Sequence, residues 1–130
     1  MIGFIGLCAI CIPILSSFRY YKYMKAEDLN SPIFNLAKQV QQKTEKDALI
    51  ITVDNRDPTL LYLTHRKGWL CSADDINDAS IVKRKQKGAR YIVGEKKHWR
   101  DESQRQRISE LLEKYHVIAS TDDYFIVDLR

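Results

Sequence analysis

The charged residues of this 130-residue chain are confined to its larger, C-terminal part. Residues 1–18 contain none, whereas all 21 Lys and Arg and all 17 Asp and Glu fall between Arg19 and Arg130. The sequence therefore predicts a short apolar segment followed by a polar region of about 110 residues. A region of that size buries one modest core. This excludes a polytopic membrane protein and a large multidomain enzyme.

Residues 1–18 predict a membrane anchor. As a helix they would rise about 27 Å, close to the roughly 30 Å of hydrocarbon in a bilayer. No Lys or Arg precedes the apolar run and no small-x-small site follows it, which argues against a cleaved signal peptide. A buried core helix is the alternative. We expect an anchor over 1–18, an interfacial linker over 19–30 and a soluble domain over 31–130.

The residues after the anchor carry positive charge. Arg19, Lys22 and Lys25 stand among tyrosines, a mixture typical of a membrane–water interface. By the positive-inside rule alone, this flank and the domain behind it would lie in the cytoplasm.

Helical and strand patterns alternate through the polar region. Apolar residues at i, i+3, i+4 and i+7 from Ile33 predict an amphipathic helix to about Lys46. The continuous apolar run over 48–53 predicts a strand covered on both faces. Further strands are predicted over 69–71, 91–93, 116–119 and 124–129, and further helices beginning near Pro58, Asp74 and Asp101.

This alternation predicts the fold class. The order α-β-α-β-α-β-α-β-β indicates an α/β protein: a small three-layer α/β/α domain with a mostly parallel sheet and a C-terminal antiparallel strand. One N-terminal membrane helix is expected to precede it.

Polar side chains follow three of the predicted strands, where open α/β sheets bind their ligands. In chain order they are Asp54, Asn55, Asp57, Ser72, Asp74, Asp75 and Glu95. A cluster of carboxylates could hold a divalent cation or sugar hydroxyls, but Asp57 and Asp74 are more simply explained as helix caps. No Gly-rich phosphate loop, catalytic triad or zinc-binding spacing is present in the sequence. We therefore expect no cofactor and no metal ion.

Two charged segments are further candidates for contact surfaces. The segment from His65 to Trp69 is either a charged turn between a helix and a strand or a cationic corner for a phosphate or an acidic neighbour. A basic patch is predicted from Lys83, Arg84, Lys85, Lys87, Lys96 and Lys97. With a membrane anchor nearby, this patch suits anionic lipid headgroups better than nucleic acid.

Phe18–Trp69 resembles the tail of bacterial membrane glycosyltransferases of the GT-C class, relatives of the dolichyl-phosphate-mannose protein mannosyltransferases. In these proteins the last membrane helix runs into an aromatic-basic stretch, a helix and a strand. The matching features are Tyr20–Met24, Ala48–Ile51, Asp54, Asp57–Tyr62 and His65–Trp69, followed later by Gly88–Val93.

The resemblance implies a function. Family members transfer a sugar from a polyprenyl-phosphate donor, and their catalytic carboxylate lies in a first extracytoplasmic loop that is not among these 130 residues. No catalytic residue is therefore carried over. The resemblance implies a terminal fragment, non-catalytic alone, that serves acceptor binding or assembly and has the remaining membrane part of the enzyme as its partner. Its candidate ligand or acceptor contacts are Asp54, Asp57, His65, Arg66 and Lys67.

The resemblance also implies a location. The family tail faces the extracytoplasmic side of the bacterial inner membrane, and we expect a single-pass protein with that orientation here. This orientation is opposite to the one that the positive-inside rule gives. We follow the resemblance, because charge bias at one helix of a polytopic protein is a weak guide to orientation.

A second hypothesis comes from a different class of function. The chain is then an independent, membrane-anchored α/β interaction module whose basic face meets anionic lipid or nucleic acid. Salt-sensitive binding to anionic vesicles or nucleic acid by a fragment lacking residues 1–25 would favour it.

Overall fold

A five-stranded mixed sheet forms the centre of residues 31–130, the part of the chain described by a computed structural model. Its helices and strands are α1 (Pro32–Lys43), β1 (Leu49–Val53), α2 (Thr59–Thr64), β2 (Lys67–Cys71), α3 (Asp78–Gln86), β3 (Ala89–Glu95), α4 (Glu102–Lys114), β4 (His116–Ser120) and β5 (Tyr124–Asp128). Two 3-10 turns, Ala73–Asp75 and Lys96–His98, lie before α3 and after β3. The predicted order of helices and strands is confirmed.

The strands lie in the order β2-β1-β3-β5-β4. Strand β1 pairs in parallel with both β2 and β3, whereas β5 is antiparallel to its two neighbours, β3 and β4. Four of the five strands therefore point in one direction. This confirms the prediction of a mostly parallel sheet with an antiparallel strand at its C-terminal end. Below, the edge where β1, β2 and β3 begin is called the amino edge, and the edge where they end is called the carboxyl edge.

Helices cover both faces of the sheet, and each face has its own apolar core. Helices α1 and α2 cover one face with Leu36, Val40 and Leu60, while α3 and α4 cover the other with Ile81, Ile108 and Leu111. Within β1, Ile50 faces the first core and Ile51 the second, because neighbouring strand residues point to opposite faces. Burial on both faces explains the continuous apolar run in this strand.

The helix predicted to begin at Asp74 begins later. Asp74 and Asp75 lie in the turn Ala73–Asp75, and the N-cap of α3 is Asn77, whose side-chain oxygen accepts a hydrogen bond of 2.9 Å from Ser80 N. The Asp75 carboxylate accepts from Ser72 N at 2.8 Å and so closes a separate turn before the helix. Other boundaries shift by a few residues, and the most important shift is that β3 continues to Glu95.

The predicted anchor over 1–18 and linker over 19–30 lie outside the described residues. Within residues 31–130, no helix combines the length and the apolar character needed to cross a bilayer.

Candidate functional site

Strands β1 and β3 bring two buried carboxylates together at the carboxyl edge. The register pairs Val53 with Gly94, so the residues that follow them, Asp54 and Glu95, lie side by side. Asp54 is 3% exposed and Glu95 is 1% exposed. The connections leaving β1 and β3 run over opposite faces of the sheet, through α2 and α4. Such a switch point is where open α/β sheets form a ligand crevice.

A glycine allows this close approach of the two strands. A Cβ atom on Gly94 would lie 2.7 Å from the Val53 carbonyl oxygen and 3.0 Å from ring atoms of Phe125. Any side chain at this position would therefore push β3 away from β1 or from β5. Gly94 thus fixes the position of Glu95, the next residue.

His98 completes the cluster from the 3-10 turn that follows β3. Its Nε2 atom lies 2.6 Å from Asp54 Oδ1 and 3.6 Å from Glu95 Oε2. The His98 side chain is partly exposed, so the cluster opens to solvent on the histidine side. Each of the three residues offers one ligand atom, and these atoms all lie within 4.8 Å of one another.

The electrostatics of the cluster are dominated by burial. Burial raises the pKa of the Asp54 carboxyl group. Nearby His98 opposes this effect and lowers the pKa, whereas Glu95 raises it further. Neither oxygen of the Glu95 carboxylate accepts a hydrogen bond within residues 31–130. Lys97 Nζ makes an ion-pair contact with Glu95 Oε2 at 2.9 Å, but the lysine side chain is 57% exposed. A buried carboxylate with so little compensation is costly to the folded state.

A strained loop follows Asp54. Asn55 and Arg56 both have positive φ angles, 48° and 63°, in the left-handed region that few non-glycine residues adopt. The loop is tied to the turn after β2 by a bidentate contact, in which Arg56 Nε and Nη2 donate to the two oxygens of Asp75 at 3.0 and 2.8 Å. This guanidinium also lowers the pKa of Asp75. The backbone after Asp54 is therefore held in one conformation despite its strain.

Of the five contacts predicted from the resemblance, only Asp54 belongs to this cluster. Asp57 is nearby, but its carboxylate accepts a hydrogen bond of 2.8 Å from Thr59 N at the start of α2, which lowers its pKa. Asp57 is therefore a helix cap, one of the two interpretations that the sequence left open.

The other three predicted contacts lie at the amino edge. Lys67 pairs with Leu49 at the start of β1, whereas Asp54 follows the end of that strand. His65 ends α2 with a φ of 53°, and Arg66 donates to the carbonyl oxygens of Thr64 and Thr44 at 3.1 and 3.2 Å. The bonds of Arg66 tie α1 to α2. The structure therefore does not bring these three residues together with Asp54.

The predicted basic patch is divided into two groups by β3. Lys83, Arg84, Lys85 and Lys87 belong to the end of α3 or follow it, near the start of β3 at the amino edge, and Lys96 and Lys97 follow its end at the carboxyl edge. The seven residues of β3 span roughly 20 Å. Lys96 is occupied by a hydrogen bond of 3.0 Å to Ser120 Oγ. The six residues do not form one continuous surface.

His98 is the site residue that the sequence analysis did not connect with the others. The sequence indicates Asp54 and Glu95 as residues that follow strands, whereas His98 belongs to a run of basic residues. A Glu-x-x-His pattern directly after a buried strand was the available signal. It was hidden because the strand was predicted to end at Val93, two residues before Glu95.

No family model matches the chain, and no curated protein matches it either. The geometry and the side-chain chemistry of residues 31–130 are therefore what define the site.

Proposed function

We propose that residues 31–130 are the terminal domain of a membrane-bound, polyprenyl-phosphate-sugar-dependent glycosyltransferase, and that this domain is non-catalytic alone. Its role would be to contact the sugar acceptor through Asp54, Glu95 and His98. The observation that carries this proposal is the pair of buried carboxylates at the switch point of the sheet, with Glu95 accepting no hydrogen bond from residues 31–130. Ionised carboxylates only accept hydrogen bonds, and sugar hydroxyl groups donate them.

Membrane topology tests the family assignment. We propose that residues 1–18 anchor the domain in the bacterial inner membrane with residues 31–130 on the extracytoplasmic side. Alkaline phosphatase and a fluorescent protein, each fused after Arg130, give opposite results in the two compartments. Active phosphatase with a dark fluorophore is expected. A bright fluorophore without phosphatase activity would overturn the assignment to a glycosyltransferase tail.

Sugar binding tests the role of the carboxyl edge. Saturation-transfer NMR on the full chain in detergent micelles, with a panel of neutral and acidic mono- and disaccharides, is expected to show contact with at least one sugar. That signal should be lost in Asp54→Asn and kept in Lys87→Gln, a control at the amino edge. Signals that are equal in both variants would place sugar binding elsewhere.

One observation favours the second candidate function. Lys83, Lys85 and Lys87 are exposed, and none of them pairs with a carboxylate within the described residues. Such a group of exposed cations without carboxylate partners suits anionic lipid or nucleic acid. Flotation of residues 26–130 with vesicles of phosphatidylglycerol tests it. Binding that is lost in the triple Lys→Gln variant and at high salt would support an interaction module.

A further inference from the structure

We propose that Asp54, Glu95 and His98 form a binding site for a divalent first-row transition metal ion, with Zn²⁺ as the best-suited ion. This inference goes beyond the proposed glycosyltransferase role and does not depend on it. Each residue contributes one ligand: a carboxylate oxygen from Asp54 and Glu95, and Nε2 from His98.

The distances within the cluster are close to those of a filled site. Zinc binds nitrogen and oxygen ligands at about 2.0–2.2 Å in a tetrahedron, which places neighbouring ligand atoms about 3.3–3.5 Å apart. The contacts of His98 Nε2 with Asp54 at 2.6 Å and with Glu95 at 3.6 Å lie on either side of that value. Shifts of less than about 1 Å in the side chains would therefore admit the ion.

The Glu95 carboxylate gives a second, independent observation that points to a ligand. Its carboxylate is 1% exposed, it lies 3.6 Å from His98 Nε2, and neither oxygen accepts a hydrogen bond within residues 31–130. Buried charges in proteins are paired or coordinate metal ions. A divalent cation between Glu95 and Asp54 would compensate both carboxylates from within the cluster, whereas Lys97 contacts Glu95 with a side chain that is mostly exposed.

The donor set indicates which ion binds. Zinc accepts both imidazole nitrogen and carboxylate oxygen as ligands, whereas Mg²⁺ and Ca²⁺ prefer oxygen ligands alone. Three protein ligands leave a fourth position, which is available to water or to a hydroxyl group of a bound molecule. This arrangement is typical of open zinc sites rather than closed structural ones.

Lys97 competes with the ion. Its ammonium group lies 2.9 Å from Glu95 Oε2 and would repel a cation held by the same carboxylate. Because the lysine side chain is mostly exposed, it can swing into solvent when the ion binds. Removal of the Lys97 charge is therefore expected to strengthen metal binding rather than weaken it.

Metal titration of the full chain in detergent micelles, after treatment with a chelator, tests the site. Calorimetry with Zn²⁺ is expected to show binding in the wild type and an affinity more than about 100-fold lower in Glu95→Gln. That loss is larger than the loss typical of a residue that supports a ligand without touching the ion. Lys97→Met is expected to bind about twofold to fivefold more tightly. Mg²⁺ should bind far more weakly than Zn²⁺. Circular dichroism checks that Glu95→Gln is folded. If that variant is not folded, His98→Gln replaces a partly exposed ligand and should lower the zinc affinity in the same way.

Controls separate this site from other zinc ligands of the chain. Cys8 and Cys11 can bind zinc through their thiolates, but a thiolate would add a charge-transfer band to the absorption spectrum of bound Co²⁺. His65→Gln and Lys87→Met, which change residues away from the cluster, should leave the affinity unchanged.

Two results would overturn the metal site. One is zinc binding that survives in Glu95→Gln, and the other is binding that disappears in a Cys8→Ser/Cys11→Ser variant. The titration needs neither a sugar nor a particular membrane orientation. Its failure would leave the glycosyltransferase proposal standing, and a cytoplasmic topology would leave the metal site standing.

Discussion

Two polar clusters lie at opposite edges of the same sheet, and they are built in opposite ways. At the amino edge, Tyr91 donates to the Glu45 carboxylate, and Arg130 Nη2 donates to the Tyr91 hydroxyl at 3.0 Å. Arg130 Nε also lies 2.9 Å from both oxygens of Asp128. Each carboxylate there has a partner. At the carboxyl edge, Glu95 is more deeply buried than Asp128 and accepts no hydrogen bond from the described residues.

The difference separates a stabilising network from the site that we propose for binding. Burial and the Glu45 carboxylate raise the pKa of Tyr91 to about 12, so its hydroxyl group remains a donor throughout the physiological range. The amino-edge residues therefore satisfy one another without a ligand, and polar groups joined in this way fix a fold. At the carboxyl edge, both oxygens of Glu95 lack a hydrogen bond within the described residues and so can accept one from another molecule. Natural proteins depart from local stability rules in this way mainly at functional sites.

The largest expected effect comes from the glycine that positions Glu95. Gly94→Val should lower the free energy of unfolding by about 3 kcal/mol, because the new side chain meets the Val53 carbonyl and the Phe125 ring. Urea unfolding of residues 26–130, followed by tryptophan fluorescence, measures this. Gly88→Ala is the matched control. Its Cβ meets only a Leu49 side-chain atom at 3.4 Å, so a loss of about 1 kcal/mol from its φ of 98° is expected.

The next comparison concerns the free energy of unfolding when a carboxylate is neutralised at each edge. Glu95→Gln removes a buried charge without a hydrogen bond and should leave the free energy of unfolding unchanged or raise it by about 1 kcal/mol. Asp128→Asn removes the charge that Arg130 binds and should lower it by about 1 kcal/mol. The same urea titration measures both variants. A clear loss of stability in Glu95→Gln would show that this carboxylate belongs to the stabilising structure.

A smaller contrast compares the two cations. Arg130→Met should reduce stability measurably, because Glu45, Tyr91 and Asp128 all lose a partner. Lys97→Met should change the free energy of unfolding by less than about 0.5 kcal/mol, since its ion pair with Glu95 is screened by solvent on the lysine side. Thermal unfolding of the two variants, measured side by side, makes the comparison. Equal losses would remove the distinction between the edges.

The smallest expected effect is a pH dependence specific to the amino edge. Arg130 lowers the pKa of Asp128, so the folded state holds the ionised form more tightly than the unfolded state does. This contribution is present above the ordinary pKa of an aspartate, about 4, and is lost as the pH falls through the lowered value in the folded state. Unfolding measured from pH 6 to pH 2 should therefore show a steeper acid loss in the wild type than in Asp128→Asn or Arg130→Met. Parallel pH curves for all three proteins would contradict this role of Asp128.

The sequence predicts the framework well and the contacts across it poorly. The order of helices and strands follows from local patterns, such as the apolar run over 48–53 and the helix start near Asp101. Asp54 and Glu95 were also found as residues that follow strands. Their contact with each other depends on the register of β1 against β3, which no local pattern specifies. The contact between Glu45 and Arg130 joins residues 85 positions apart and has no signal in the sequence.

The basic residues illustrate the same limit. Lys87 and Lys96 are close enough in sequence to suggest one surface, but a largely buried strand of seven residues separates the two groups that they belong to. A count of charges along the chain does not show the distance between the two groups in the fold. The length of the intervening strand is what decides whether two charged runs share a surface.

The position of β5 also determines when this domain can form during synthesis. Although β5 is the last of the described strands along the chain, it lies inside the sheet, between β3 and β4. Until the ribosome releases residues 124–128, β3 has an open edge and β4 has no neighbour with which to pair. The cluster of Asp54, Glu95 and His98 is encoded by residue 98 but takes its final shape only after β5 pairs with the strand that carries Glu95. The nascent domain therefore gains its amino-edge network and its proposed binding site in the same late step.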